Sequence, residues 1–141
     1  MLEVRFAKHH RLNNLIWVWS VDRPSSPDRQ FIDFFPGTNY FDIASLDVYR
    51  NDYNKTYYDD LLKLANGKPI GLAEVGPPPS LEILKQQPRW TWWMLWSGMV
   101  GRGGSNTIQV VNDPLSFSLS DPEYRKSIEP LRKAAGLAPL Q

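Results

Sequence analysis

The chain contains no cysteine, which excludes disulfide staples and thiolate metal sites and leaves the redox compartment unreadable. Histidine is scarce. Its two copies, His9 and His10, sit side by side with no ligand-type cluster to complete a metal site or a triad, and they read as solvent-facing. No apolar run approaches the roughly 20 residues of a membrane-spanning helix. The N-terminal MLEVRFAKHH lacks the apolar centre of a signal peptide. Neither charge is in excess: 16 basic against 15 acidic residues leave +1, with no long run of one sign. That pattern carries no footprint for nucleic acid or for an anionic membrane surface, so neither is expected as a partner.

What is present suits one core and not two: 141 residues, 42% of them hydrophobic. Six each of Trp, Tyr and Phe make the chain rich in aromatics. Such rings stack on the apolar faces of sugars, but a large aromatic core has the same composition, so the count alone decides nothing.

Short apolar runs alternate with loops and helical patterns, the order of a parallel α/β sheet. The runs are residues 15–20 (LIWVWS), 41–49 (FDIASLDVY), 69–75 (PIGLAEV) and 90–97 (WTWWMLWS). Their near-continuous hydrophobicity predicts strands covered on both faces. Between them, residues 57–65 place Tyr57, Leu61 and Leu64 on one helical face before Asn66-Gly67. Residues 80–87 open with a serine cap and end before Pro88. A last helix is predicted from Pro122 or Glu123 to Ala135, with Gly136 as its stop. A short helix is predicted over 28–35. The start, residues 3–10, reads as the tail of a helix already under way, so the chain is expected to begin mid-fold. The fold class is α/β: half of a (β/α)8 TIM barrel, four parallel strands with outer helices, in a single domain over 1–141.

In such barrels the active site is built at the carboxyl ends of the strands. Glu74 lies near that end of the third run, and an unpaired carboxylate in a buried strand is costly. It is either a site carboxylate or the partner of a Lys or Arg at the rim. Asp47 and Tyr49 end the second run two residues apart, on one face. Tyr49 is placed to donate a hydrogen bond to Glu74 from the neighbouring strand; otherwise it marks where the strand meets solvent. Trp96 ends the fourth run, as a floor for a sugar ring or as a core plug. Trp17 and Trp19 share a face of the first run, with Trp19 nearer the mouth and at least one of the two in the core.

The segments LNNLIWVWS, FPGTNYFDIASLDVYRND, YYDDLLKLANGKPIGLAEVG, PRWTWWMLWSGM and NDPLSFSL resemble glycoside hydrolase family 26, whose best-known members are retaining endo-β-1,4-mannanases. The likeness runs from about residue 13 to 135. Its most specific pieces are Glu74-Val75-Gly76 after an apolar strand and the Trp-rich strand about 15 residues later. The resemblance implies that the four runs are strands five to eight and that residues 1–12 are a remnant of the preceding helix. It implies Glu74 as catalytic nucleophile, Tyr49 as its orienting partner, and Trp96 as the aromatic platform beside the cleaved bond. Trp19 and Asp47, from their places on the runs, are further candidate substrate-binding residues. It implies no metal, no cofactor, a β-mannan or related β-linked polysaccharide as substrate, and a secreted or extracellular setting.

The resemblance also marks a departure. The family's general acid/base is a glutamate after a histidine at the end of strand four, and no His-Glu pair occurs here. Glu3 falls on the helix remnant, and Glu82, Glu123 and Glu129 on outer helices. Retaining chemistry needs two carboxyls roughly 5–5.5 Å apart, and loss of acid/base assistance costs ~10²–10⁴-fold. The isolated chain is therefore expected to be inactive or very weak. Four strands of a barrel also leave an inner face and two apolar edges uncovered. That predicts a homodimer or a complementary N-terminal half-barrel as partner. The alternatives are a non-catalytic half-barrel that self-associates and binds β-linked polysaccharide, and a truncated reading frame with no independent role.

Overall fold

The computed structural model describes residues 9–12, 14–24, 26, 28–102 and 104–140. Four parallel strands form one sheet in chain order: β1 (Val18–Asp22), β2 (Ile43–Val48), β3 (Ile70–Val75) and β4 (Trp90–Leu95). The connections carry α1 (Lys55–Ala65) and α2 (Leu81–Gln86), with α3 (Gly104–Val111) and α4 (Pro122–Ala134) following the last strand. All four predicted strands are found. The first lies further along than its apolar run, because β1 is defined by its pairing with β2, from Val18↔Ile43 to Asp22↔Asp47. Asp42 starts that pairing by accepting from the Trp17 amide at 2.8 Å. The helix predicted at residues 3–10 lies largely outside the described residues; His9 and His10 are exposed.

Local signals set the helix ends. Asn54 accepts from the Thr56 amide at 2.8 Å and so caps α1. At the other end the chain leaves through Asn66 in the left-handed region, φ 49°, and Gly67. Ser80 caps α2 and Asp121 caps α4, the latter with Pro122 in the first turn. The short helix predicted over 28–35 is a single 3-10 turn, Phe31–Phe34. Helix α3 went unpredicted from sequence, since its stretch GSNTIQVV opens with poor helix formers.

The core lies on the outer face of the sheet, between it and α1. Ala44, Leu46, Val48, Ile70, Leu72 and Val75 point there and are buried with Tyr58, Leu61 and Ala65. Lys68, just before β3, ties that strand to the segment leading into β2 by donating to the carbonyls of Thr38 and Phe41.

The register contains one departure that matters for the site. Ser45 pairs with Gly71 but Asp47 pairs with Glu74, so β3 spends three residues where β2 spends two. The same excess appears against β4, where Leu72↔Trp93 is followed by Val75↔Leu95. This is a β-bulge at Leu72–Ala73–Glu74. It leaves Leu72 and Val75, three apart, both on the outer face.

Candidate functional site

Simple alternation from Leu72 would send Glu74 outward into the core. The bulge turns it inward instead, level with Asp47 on β2, which is in turn level with Asp22 on β1. Three acidic residues thus occupy one row at the carboxyl ends of three neighbouring strands. The Tyr49 hydroxyl donates to Glu74 Oε1, and Ser20 Oγ donates to Asp47 Oδ1 at 2.9 Å. Glu74's partner among the described residues is therefore a tyrosine and not a rim lysine or arginine. Among those residues no group of three or more His, Asp or Glu is arranged to hold a metal ion.

The electrostatics follow from this crowding. Tyr49's phenol is pushed up to about 12, chiefly because its proton bridges to the Glu74 carboxylate, with the negative charges around it adding to the effect. Asp47 is also raised from its ordinary 3.8. Burial is the main cause, opposed by the Ser20 hydrogen bond and reinforced by the charges of Glu74 and Asp22.

Three side-chain contacts fix the loops around this row. Arg23, just after β1, pairs with Asp52 in the loop after β2 at 2.6 Å. Tyr53, from that same loop, donates to the Pro77 carbonyl after β3 at 2.6 Å. Asn106 of α3 donates to the Pro78 carbonyl at 3.0 Å. Each loop at the strand ends is thus held to the next. Arg50 and Asn51, directly after Tyr49, both take left-handed backbone (φ 59° and 61°), a tight reversal that turns the chain from the strand into this loop.

Trp96 follows β4 immediately, its amide donating to the Val75 carbonyl at 2.8 Å, and the residue is 49% exposed. It lies one strand over from Glu74. Trp19 is not brought to this face. It packs edge-on to Phe35 at 5.3 Å between ring centroids and tilted against Phe41 at 5.6 Å, on the core side of β1. Ser20, its chain neighbour, is the residue that faces Asp47, because successive strand side chains point to opposite faces. Of Trp17 and Trp19, at least one of which is expected in the core, Trp19 is one that packs against it. Sequence reasoning missed Ser20 and Asp22, although their spacing of two, ending level with Asp47, was available once the strand was extended to residue 22. Trp92 was missed as well. Its indole covers Gly71 so closely that a Cβ built there would meet the ring at 2.3 Å.

An all-parallel sheet with its helices beyond one face, and acidic and aromatic groups at the carboxyl ends of the strands, has the arrangement of a section of a (β/α)8 barrel. The sequence profile of glycosyl hydrolase family 26 matches residues 2–119, and the chain belongs to that family. A mannan endo-1,4-beta-mannosidase of Thermothelomyces thermophilus is 37% identical over 100 residues, 68% of this chain and 19% of that protein. One from Bacillus subtilis is 36% identical over 110 residues, 70% of this chain and 29% of that protein. The solved structure of GH26A from a Muricauda species superposes with a TM-score of 0.78 at 41% identity, covering 83% of this chain and 40% of that one. A ruminal GH26 endo-beta-1,4-mannanase shares the fold with a TM-score of 0.72 at 21% identity, covering 85% of this chain and 28% of the other. The chain thus spans less than a third of the length of these curated relatives and is a partial family 26 domain.

Proposed function

We propose that this chain is the nucleophile-bearing part of a retaining endo-β-1,4-mannanase acting on extracellular mannan-type polysaccharide. The observation that carries the reading is Glu74, turned to the inner face at a strand end and held by the Tyr49 hydroxyl. A carboxylate so aimed attacks an anomeric carbon and forms a glycosyl-enzyme ester. Tyr49, kept protonated, remains a donor throughout and fixes the attacking geometry. Trp96 offers an exposed ring for stacking a sugar one strand away. Asp47, held by Ser20, presents an acceptor for a sugar hydroxyl.

The second carboxyl of a retaining pair must stand across the cleaved bond from the nucleophile, roughly 5–5.5 Å away. Glu82, Glu123 and Glu129 lie on α2 and α4, and Asp47 shares the sheet row with Glu74 rather than facing it. None of these described carboxyls thus stands opposite Glu74; this reading takes the acid/base from outside the described residues, with the chain alone inactive or very weak. The inner face supports the same reading. Val18, Met94 and Trp96 are exposed there, and β1 and β4 are edge strands. A complementary half-barrel or a second copy of the chain covers them. A second copy makes a homodimer with two Glu74 residues and no normally placed acid, which binds mannan without cutting it.

The test is the chain's molar mass by light scattering on a sizing column, with mannan binding and hydrolysis assayed across the same fractions. Expected is an inactive or very weak, mannan-binding assembly that cleaves at full rate only when complemented by the amino-terminal part of a family 26 enzyme. In the complemented enzyme, Glu74→Ala removes hydrolysis and leaves affinity, whereas Trp96→Ala weakens both. Full cleavage by the uncomplemented chain overturns the assignment of a missing acid, and unchanged cleavage by complemented Glu74→Ala overturns the nucleophile.

A further inference from the structure

Glu74, Val75 and Gly76 form a unit whose third member has a role of its own. Gly76 is buried at the end of β3, its amide donating to the Val48 carbonyl at 2.9 Å, so it continues the pairing with β2 at the level of Tyr49. It is not among the glycines with positive φ, so backbone conformation does not require glycine there. Space does. A Cβ on Gly76 would stand 3.0 Å from Tyr49 Cδ1, 3.6 Å from Cε1 and 3.7 Å from the Tyr49 Cα. The ring and the backbone that carries it both lie against the glycine, and the same ring's hydroxyl reaches back to Glu74 Oε1.

We infer that Gly76 is a positioning residue for the nucleophile: its missing side chain is the seat on which the Tyr49 ring lies, and that seat sets the tyrosine's hydrogen bond to Glu74. The significance for catalysis rests on Glu74 being the nucleophile, but the geometry does not. A methyl group at position 76 pushes on the near edge of the ring. The ring cannot slide back along the strand, because its Cα is within contact distance of the same point. It pivots, and a pivot about Cβ is largest at the hydroxyl, the far end of the side chain. A displacement of a few tenths of an ångström at Cδ1 is thus amplified where the hydrogen bond is made, and such bonds weaken steeply as their geometry opens. Gly98 stands in a similar relation to Trp96, its Cβ position 3.1 Å from the indole nitrogen. That pair makes no bond to Glu74 and serves as the control.

The experiment uses the full chain with ¹³C-labelled tyrosine, the Tyr49 signal being assigned by its loss in Tyr49→Phe. In the parent chain Tyr49 is expected to ionise near 12. In Gly76→Ala the midpoint falls toward the ordinary value of about 10, while Gly98→Ala leaves it in place. A Tyr49 midpoint unchanged in folded Gly76→Ala overturns the proposal. The melting temperature gives a second reading that survives poor folding of the single variant. The loss caused by Gly76→Ala should largely vanish in a Tyr49→Ala background, where no ring remains to be displaced. An equal loss in both backgrounds means that something other than Tyr49 fills the seat, and the proposal falls. None of these readings uses catalysis, so they stand apart from the mannanase reading, which is judged by hydrolysis in Glu74→Ala.

Discussion

On the outer face of the sheet, Leu46, Val48, Leu72 and Val75 are buried against α1 through Leu61 and Tyr58. On the inner face the same strands present Ser20, Asp22, Asp47 and Glu74, with Met94 and Trp96 exposed beside them. The outer face is a finished core whose partners are all within the chain. The inner face is polar, aromatic and open, and there burial and the charges of Glu74 and Asp22 raise the cost of ionising Asp47. On the proposed function, stability and chemistry are divided between two faces of one sheet. A change on one face should leave the other's property largely intact.

That division is broken most forcefully from the outside. Leu61 is fully buried in α1, and Leu61→Ala should cost ~2–5 kcal/mol through lost burial and the cavity left behind, read by urea unfolding. If polysaccharide affinity, measured where the variant is still folded, falls with it, the two faces are not separable. A smaller and opposite effect is expected at Asp47. Its carboxyl holds a proton more tightly in the folded chain than in the unfolded one. Its contribution to stability is therefore fullest below the ordinary 3.8 and is lost as the pH rises through the raised folded value. Asp47→Asn removes that loss and keeps an acceptor for Ser20. The variant should be modestly more stable than the parent at neutral pH, with the gap closing below the ordinary carboxylate value; urea midpoints across that range check it.

The smallest effect belongs to Tyr49. Its folded value near 12 exceeds the ordinary value of about 10. The stability it contributes is present below that ordinary value and is lost as the pH climbs from about 10 through about 12. Tyr49→Phe should flatten the fall in stability over this alkaline window and change little at neutral pH. A steep alkaline loss that persists in Tyr49→Phe would mean that other groups, Tyr53 among them, dominate there. Tyr53 is itself raised by burial.

The apolar runs and their stop signals sufficed for four parallel strands in chain order, but not for how they are covered: the expected burial on both faces is met within the chain only on the outer one. Asn66-Gly67, Ser80 and Gly136 marked helix ends for equally local reasons. The pairing of Tyr49 with Glu74 was legible from two residues at the carboxyl ends of adjacent runs. The place of Asp22 was not legible because the run ending at Ser20 hid a strand that continues to Asp22, and the pairing partner, not hydrophobicity, set that boundary. Helix α3 was missed because its packing and not its propensity supports it.

The sequence by itself determined which residues are available: a carboxylate near a strand end, a tyrosine one strand away, and a tryptophan one strand beyond. It did not determine the direction in which the carboxylate points. Period-two alternation puts Glu74 with Leu72, in the core. Only the bulge at Leu72–Ala73, created by pairing β3 against both β2 and β4, turns Glu74 to the inner face. The reason is physical: a strand's side-chain period is local, but its register is a property of the neighbours it bonds to.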